Sequence, residues 1–297
     1  MVDKEKILLP EGFEDMVRGV IGDSEWDAFV EALADEPSVS VRINAQCTMH
    51  NAQLGNSQRS TVDSRQSIDG SQLSTVKWCE WGRYLAERPK FTYDPTFHAG
   101  AYYVQEASSM FVWQALSQLV ERDSVVLDMC AAPGGKSTAI AQYLSEEGFL
   151  VSNEYVPQRA HVLVENITKW GAPNCVVTNN APRHFEKLKT RFDAILVDAP
   201  CSGEGMFRKD ERAREEWSPA NVEMCVERQR EILESAWKVL KPGGVLIYST
   251  CTFNSHENEE QVQWLIDEME AEYLPLLFYS NKNKRKNKLA GCRESRQ

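Results

Sequence analysis

The sequence predicts an α/β protein: a doubly wound, mostly parallel, Rossmann-like sheet preceded by a small, mainly helical N-terminal domain. Two observations carry this. From about residue 96 onward, short apolar segments alternate with stretches of helical periodicity, the signature of a parallel sheet with helices on both faces. Before it, residues 1 to about 45 place Phe13, Met16, Val17, Ile21, Trp26, Phe29, Val30 and Leu33 at near-helical spacing.

The elements follow in order. Residues 46–75 are rich in Gln, Ser and Asn with few large apolar residues, so they read as a polar insertion in the first domain. Trp78, Trp81, Tyr84 and Leu85 resume an apolar pattern, which Pro89 and Pro95 interrupt. Residues 124–129 form the first strand of the alternating region, and a glycine-containing turn leads to a helix over 136–144. Strands are expected at 149–154, 175–179, 192–198 and 245–250, and helices at 157–170 and 219–240. Pro242-Gly243-Gly244 reads as a turn. Ser255, three residues before Asn258, reads as the cap of a last helix running to about 269. Residues 276–297 are polar, basic and aperiodic, and are expected to form a disordered tail. The expected domains are therefore 1–95 and 96–275, followed by that tail.

The chain has 297 residues, enough for one large or two modest cores. No apolar run approaches the roughly 20 residues of a membrane span, and no secretory core follows the charges at the start, so a cytoplasmic protein without membrane partners is expected. The eight cysteines lie far apart without a C-x-x-C pair, so neither a disulfide framework nor a zinc site is expected. The net charge of −11 counts against a strongly basic nucleic-acid-binding face. Arg208, Lys209, Arg212 and Arg214, with Lys282, Lys284, Arg285, Lys286 and Lys288 near the end, are local basic groups, and a charge run is usually just a solvated surface.

Four segments carry chemistry. In the first, Asp128-Met129 is followed by Cys130-Ala131-Ala132-Pro133-Gly134-Gly135-Lys136-Ser137. Small residues directly after a strand let the backbone approach a ligand at the next helix start. Gly135-Lys136-Ser137 matches the end of a phosphate-binding P-loop, but its first glycine would fall at Cys130, and Pro133 interrupts the cradle. The second is Glu154, ending the next strand, where an acidic residue accepts hydrogen bonds from ribose hydroxyls in nucleoside-binding folds. A surface glutamate is the plain alternative. The third is Asp198-Ala199-Pro200-Cys201-Ser202-Gly203 and the fourth Tyr248-Ser249-Thr250-Cys251-Thr252. Both close strands, where ligands of such sheets bind. Packing alone does not explain two cysteines, an aspartate and a lysine directed to one rim.

CAAPGGK at 130–136, DAPCSG at 198–203, LKPGG at 240–244, STCT at 249–252 and HAGAYYVQE at 98–106 resemble the Sun/Fmu-type RNA (cytosine-5) methyltransferases, most closely the bacterial enzymes that methylate 16S ribosomal RNA. The likeness covers about residues 5–45 and 76–270. It implies an S-adenosylmethionine-dependent enzyme, a monomer with RNA, small-subunit ribosomal RNA or its particle, as partner. It assigns Cys251 as the nucleophile and Cys201 to product release, with Asp198 and Lys136 positioning and polarising the base. The cofactor is assigned to Cys130, Ala131, Ala132, Pro133, Gly134, Gly135, Lys136, Glu154, Arg159, Asn180 and Asp198. A thiolate is required because carbon-5 of cytosine becomes nucleophilic only after sulfur adds at carbon-6. DNA cytosine methyltransferases use the cysteine of a Pro-Cys pair instead, so residue chemistry alone leaves Cys201 open as the nucleophile.

Two departures stand out. Family members usually carry an aspartate shortly after the third strand, where this chain has Asn179-Asn180-Ala181-Pro182. They also continue past the last helix with further strands, and the closest relatives add a small RNA-binding domain. Here the C-terminal strands are expected to be missing, which would expose a sheet edge. The rival readings are a non-catalytic RNA- or ribosome-binding remnant and a P-loop nucleotide hydrolase.

Overall fold

The computed structural model describes residues 7–47 and 74–277, and the backbone of 290–294. The bulk of the predicted polar insertion and most of the predicted tail lie outside these residues. In chain order the main helices are α1 (Phe13–Ile21), α2 (Asp23–Leu33), α3 (Val112–Leu119) and α4 (Gly135–Tyr143). They continue with α5 (Pro157–Trp170), α6 (Glu211–Glu216), α7 (Pro219–Val239) and α8 (Glu259–Met269). The chain divides into two compact units, residues 38–196 and residues 1–37 with 197–297.

The unit of residues 38–196 holds two sheets. Strands β1 (Val39–Ile43), β2 (Ser74–Thr75), β3 (Gly82–Leu85) and β4 (Tyr102–Val104) form an antiparallel sheet in the order β2-β3-β1-β4. The expectation of short helices to residue 45 holds for α1 and α2 but misses β1. Val39, Val41 and Ile43 are β-branched and alternate with polar residues, a strand pattern. The second sheet is parallel: β5 (Val125–Asp128) lies between β6 (Phe149–Asn153) and β8 (Phe192–Asp198), and β6 is flanked by β7 (Cys175–Thr178). Val126, Leu127, Leu150, Ala194, Ile195 and Leu196 are all buried, which is why these strands read as unbroken apolar runs. Helix α5 shows how locally the boundaries are set. Pro157 occupies its first turn, Ala160, Leu163, Ile167 and Trp170 form its buried stripe, and Gly171 takes the left-handed cap.

In the other unit, the end of β8 enters at Val197 and is followed by β9 (Leu240–Ser249), β10 (Ala271–Leu274) and β11 (Ala290–Glu294). The expected bare edge is a correction. Strand β11 pairs antiparallel with β9, Arg293 opposite Val245 and Ala290 opposite Tyr248, and its other side pairs with β10. Residues 290–294 are therefore strand rather than tail, and two strands follow the last helix. Phe13, Val17, Trp26 and Leu33 of α1 and α2 pack with Phe207, Trp217 and Val222. The Phe13 ring lies 5.1 Å from Phe207 and 5.5 Å, edge-on, from Trp217. Each such pair contributes about 0.5–1.5 kcal/mol beyond its buried area. Ser218 caps α7 by accepting from the Asn221 amide at 3.2 Å, with Pro219 in the first turn. Ser255 is not the cap of α8. Asn258 holds that position, and the Ser255 hydroxyl donates to Glu260 at 2.9 Å.

Candidate active site

In the unit of residues 38–196, the loop after β5 is held from several sides. The Ala131 amide donates to Asn153 O at 2.8 Å, Arg159 donates to Ala132 O at 2.8 Å, and Asn166 donates to Pro133 O at 2.8 Å. The Ala132–Pro133 peptide is cis, and Gly134 has φ +114°, a conformation that side-chain-bearing residues rarely adopt. Gly135 and Lys136 then open α4. The fully buried Ser137 donates to Asp128 Oδ2 at 2.6 Å, tying the helix back to the strand it follows.

At the end of β6, Asn153 is fully buried and joins three strand ends. Its amide nitrogen donates to Met129 O and Asn180 O, and its oxygen accepts from Thr178 Oγ1 and the Asn180 amide. Asn180 is thus positioned through its backbone. Glu154 follows, 3% exposed. Its Oε1 accepts from the Val156 amide at 2.9 Å. Its Oε2 is buried, lies 3.6 Å from the Arg159 guanidinium and has no hydrogen-bond donor among the described residues. That oxygen is a buried acceptor rather than a solvated surface charge.

A second feature was not legible in the sequence. Arg42 of β1 is fully buried and donates to Gln105 Oε1 at 2.9 Å, to Gln142 Oε1 at 2.6 Å, to Gly135 O at 3.3 Å and to Thr138 Oγ1. Its guanidinium sits 4.5 Å from the centre of the Trp170 ring. Burial lowers its pKa to about 10. This cation braces the first turn of α4 from beneath.

In the other unit, Asp198 ends β8 and accepts from Ser249 Oγ at 2.7 Å, and the Ala199 amide donates to Ser249 O at 2.9 Å. These bonds bring the DAPC and STC segments together. The sulfur atoms of Cys201 and Cys251 lie 3.2 Å apart. Cys251 is exposed and Cys201 half-buried. The adjacent Cys251 thiol, with burial, pushes the Cys201 thiol well above its ordinary value of 9.0. The Gly205 amide donates to Cys251 O at 2.6 Å, and a methyl group on Gly205 would lie 2.4 Å from that oxygen.

Beneath the cysteines lie two fully buried carboxylates. Glu257 accepts four hydrogen bonds, from the Ser202 amide (2.9 Å), Ser202 Oγ (2.5 Å), Gln229 Nε2 (2.9 Å) and Asn254 Nδ2 (2.8 Å). Glu204 also accepts four, from Trp217 Nε1 (3.1 Å), the Phe253 amide (2.5 Å), the Asn254 amide (3.1 Å) and Asn254 Nδ2 (2.7 Å). Burial pushes the Glu204 carboxyl up, against the opposing pull of its donors. Asn254 bridges the pair. Glu204, Glu257 and Asn254 beside turns, and Gln229 in the middle of α7, were missed because charged and amide residues read as surface.

Among the described residues no cluster of three metal-ligating side chains is present, and no helix is long and apolar enough to cross a membrane.

Residues 115–291 match the family model of the 16S rRNA methyltransferase RsmB/F, and residues 9–107 match the N-terminal domain of 16S rRNA methyltransferase RsmF. The ribosomal RNA small subunit methyltransferase F of Pectobacterium carotovorum is 40% identical over 263 residues, 86% of this chain and 52% of that protein. That of Aeromonas salmonicida is 44% identical over 204 residues, 67% of this chain and 43% of that protein. The chain thus spans about half the length of the curated relatives it matches. A methyltransferase homologue from Pyrococcus horikoshii superposes with a TM-score of 0.74 at 30% identity, over 90% of this chain and 81% of that one. NSun6 from the same organism shares the fold, with a TM-score of 0.78 at 20% identity over 97% and 99% of the two chains.

Proposed function

The chain belongs to the RsmB/F family of 16S rRNA methyltransferases, and from that premise we propose that it methylates carbon-5 of a cytosine in RNA, the substrate being small-subunit ribosomal RNA or its particle. One observation carries the reading: the paired sulfurs of Cys201 and Cys251, 3.2 Å apart, at strand ends that Asp198 and Ser249 hold together.

Cys251 is the nucleophile in this mechanism. Its sulfur is exposed, so a base that has left its stack can meet it. Sulfur adds at carbon-6, and carbon-5 becomes enamine-like, the state that accepts a methyl group. Cys201, the less exposed of the two, lies 3.2 Å from the attacking sulfur, within hydrogen-bond reach of it. A base, a solvent water or hydroxide at the exposed sulfur, then takes the carbon-5 proton, and the C–H electron pair re-forms the carbon-5–carbon-6 double bond. The carbon–sulfur bond breaks with its electron pair returning to Cys251, while the Cys201 thiol stabilises that departing thiolate. Asp198, oriented by Ser249, and Lys136 are assigned to positioning and polarising the base. The greater exposure of Cys251 supports it over Cys201 as the nucleophile, a choice that the residue types alone left open.

S-adenosylmethionine supplies the electrophilic methyl group when bound. The residues present fit it: the buried Glu154 Oε2 lacks a donor, as a carboxylate awaiting ribose hydroxyls would. Cys130, Ala131, Ala132, Pro133, Gly134, Gly135 and Lys136 are assigned to its backbone contacts, Arg159 holds Ala132 O, and Asn180 is assigned to the adenine edge. Asp198 is shared between cofactor and base. On this reading the chain acts as a monomer in the cytoplasm, with residues 1–95 contributing to RNA binding and 96–275 performing catalysis.

The test is transfer of label from methyl-labelled S-adenosylmethionine to unmethylated small-subunit ribosomal RNA or particles. Label recovered as 5-methylcytosine supports the proposal. Label on another nucleoside, or none from a folded chain that binds the cofactor, overturns it.

A further inference from the structure

We propose that Glu257 is a positioning residue that sets the Cys201 thiol against the Cys251 sulfur by anchoring the backbone on both sides of Cys201. The proposal rests on the reading of the cysteine pair given above. The geometry is specific. On the C-terminal side of Cys201, the Ser202 amide and hydroxyl both donate to Glu257, at 2.9 and 2.5 Å. On the N-terminal side, Pro200 O accepts from Gln229 Nε2 at 3.1 Å, and that nitrogen also donates to Glu257 Oε1 at 2.9 Å.

Glu257 is held just as firmly to the Cys251 side. Its Oε2 accepts from Asn254 Nδ2, its amide donates to Asn254 Oδ1 at 2.9 Å, and its carbonyl accepts from Tyr248 Oη at 2.7 Å. One side chain therefore links the turn that carries Cys201 to the segment that carries Cys251.

The chemistry of the acceptor matters. Four N–H and O–H groups converge on two oxygens, and only a carboxylate accepts on both. A glutamine would turn an NH2 group toward two donors. A fully buried charge is retained here at a large desolvation cost, which packing alone does not require. Glu204 is buried and saturated in the same way, but its donors come from Trp217, Phe253 and Asn254, none of them next to a cysteine in sequence.

The experiment compares Glu257→Gln, and the milder Ser202→Ala, with the unmodified chain, each checked by its melting transition. Alkylation of Cys201 and Cys251 by iodoacetamide is followed by peptide mass spectrometry from pH 6 to 10, without RNA or cofactor. Turnover and the covalent protein–RNA complex on denaturing gels are measured in parallel. Loss of the anchor frees Cys201 from its partner, so its alkylation at pH 8 should rise about tenfold, the effect of a one-unit change in thiol pKa. Turnover should fall about 100-fold, as for a displacement of 1 Å at a reacting group, with KM for RNA changing less than about threefold, while the covalent complex accumulates because release is the impaired half. A merely structural role would lower turnover without accumulation and leave the alkylation profiles alone, and either of those results overturns the proposal. If the unmodified chain shows no methylation, the functional reading fails, and the alkylation profiles alone decide whether Glu257 positions the pair.

Discussion

Replacing Gly205 by alanine perturbs the cysteine pair without touching either sulfur. The added methyl would sit 2.4 Å from Cys251 O, where ordinary contact begins at 3.4 Å. The obstacle is backbone, and the Gly205 amide is bonded to that same oxygen at 2.6 Å, so no side chain can swing away. The Cys251 backbone must retreat by about 1 Å, a displacement that costs on the order of 100-fold in rate when it occurs at a reacting group. The stability cost is that of overpacking plus a strained hydrogen bond, about 1–3 kcal/mol. Gly203→Ala is the control. Gly203, unlike Gly205, has a positive φ, +82°, but nothing lies within 4 Å of its added methyl, so it carries the strain of the left-handed backbone, about 1–2 kcal/mol, without displacing Cys251. Measured as kcat/KM for methyl transfer beside the midpoint of urea unfolding, Gly205→Ala should lose about two orders of magnitude while Gly203→Ala stays within tenfold. Equal rates for the two variants at equal stability would refute the claim that the Cys251 carbonyl is held by contact with Gly205.

Glu154→Ala should weaken S-adenosylmethionine about 10- to 100-fold in titration calorimetry, the value of hydrogen bonds to a charged acceptor, and unchanged affinity would remove Glu154 from the ribose contact. Arg42→Met strands the buried acceptors on Gln105 and Gln142 and removes the cation over Trp170, so unfolding should cost about 1–3 kcal/mol less in urea, and a loss below about 0.5 kcal/mol would show that Arg42 does not brace α4. The pH dependence follows from Cys201, raised by the Cys251 thiol and burial, and from Cys225, which burial pushes up to about 11. Thiols whose folded values exceed the unfolded one stabilise fully below the unfolded value and lose that contribution as pH rises through the folded value. Stability should therefore fall from about pH 9 to 11, with a shallower slope in Cys225→Ala, and parallel slopes would contradict the assignment.

The parallel sheet and its helices were legible because their signals are local. The helix over 157–170 has its proline, apolar stripe and glycine in sequence, and the strands at 125–128 and 192–198 are buried on both faces. What escaped depends on partners distant in the chain. Arg42 reads as a surface charge, yet the groups that satisfy it lie 63 to 100 residues away. The short strand around it was absorbed into a helical reading. Residues 290–294 lack the alternation of a strand and become one by pairing between β9 and β10, where context outweighs propensity. Glu154 stood out in the sequence of the one unit, and Asp198 and the two cysteines in that of the other, the last of these held by buried carboxylates. The carboxylates that organise them did not, because burial of Glu204 and Glu257 is decided by donors from four separate segments.

The central claim is that Cys251 attacks the base and Cys201 serves its release, and trapping tests it most directly. An RNA bearing 5-fluorocytosine cannot complete the second half of the reaction, so the attacking residue stays bonded to it. With S-adenosylmethionine present, the unmodified chain and Cys201→Ala should form the covalent complex on a denaturing gel, and Cys251→Ala should form none. A complex that persists in Cys251→Ala and vanishes in Cys201→Ala would reverse the roles and contradict the account.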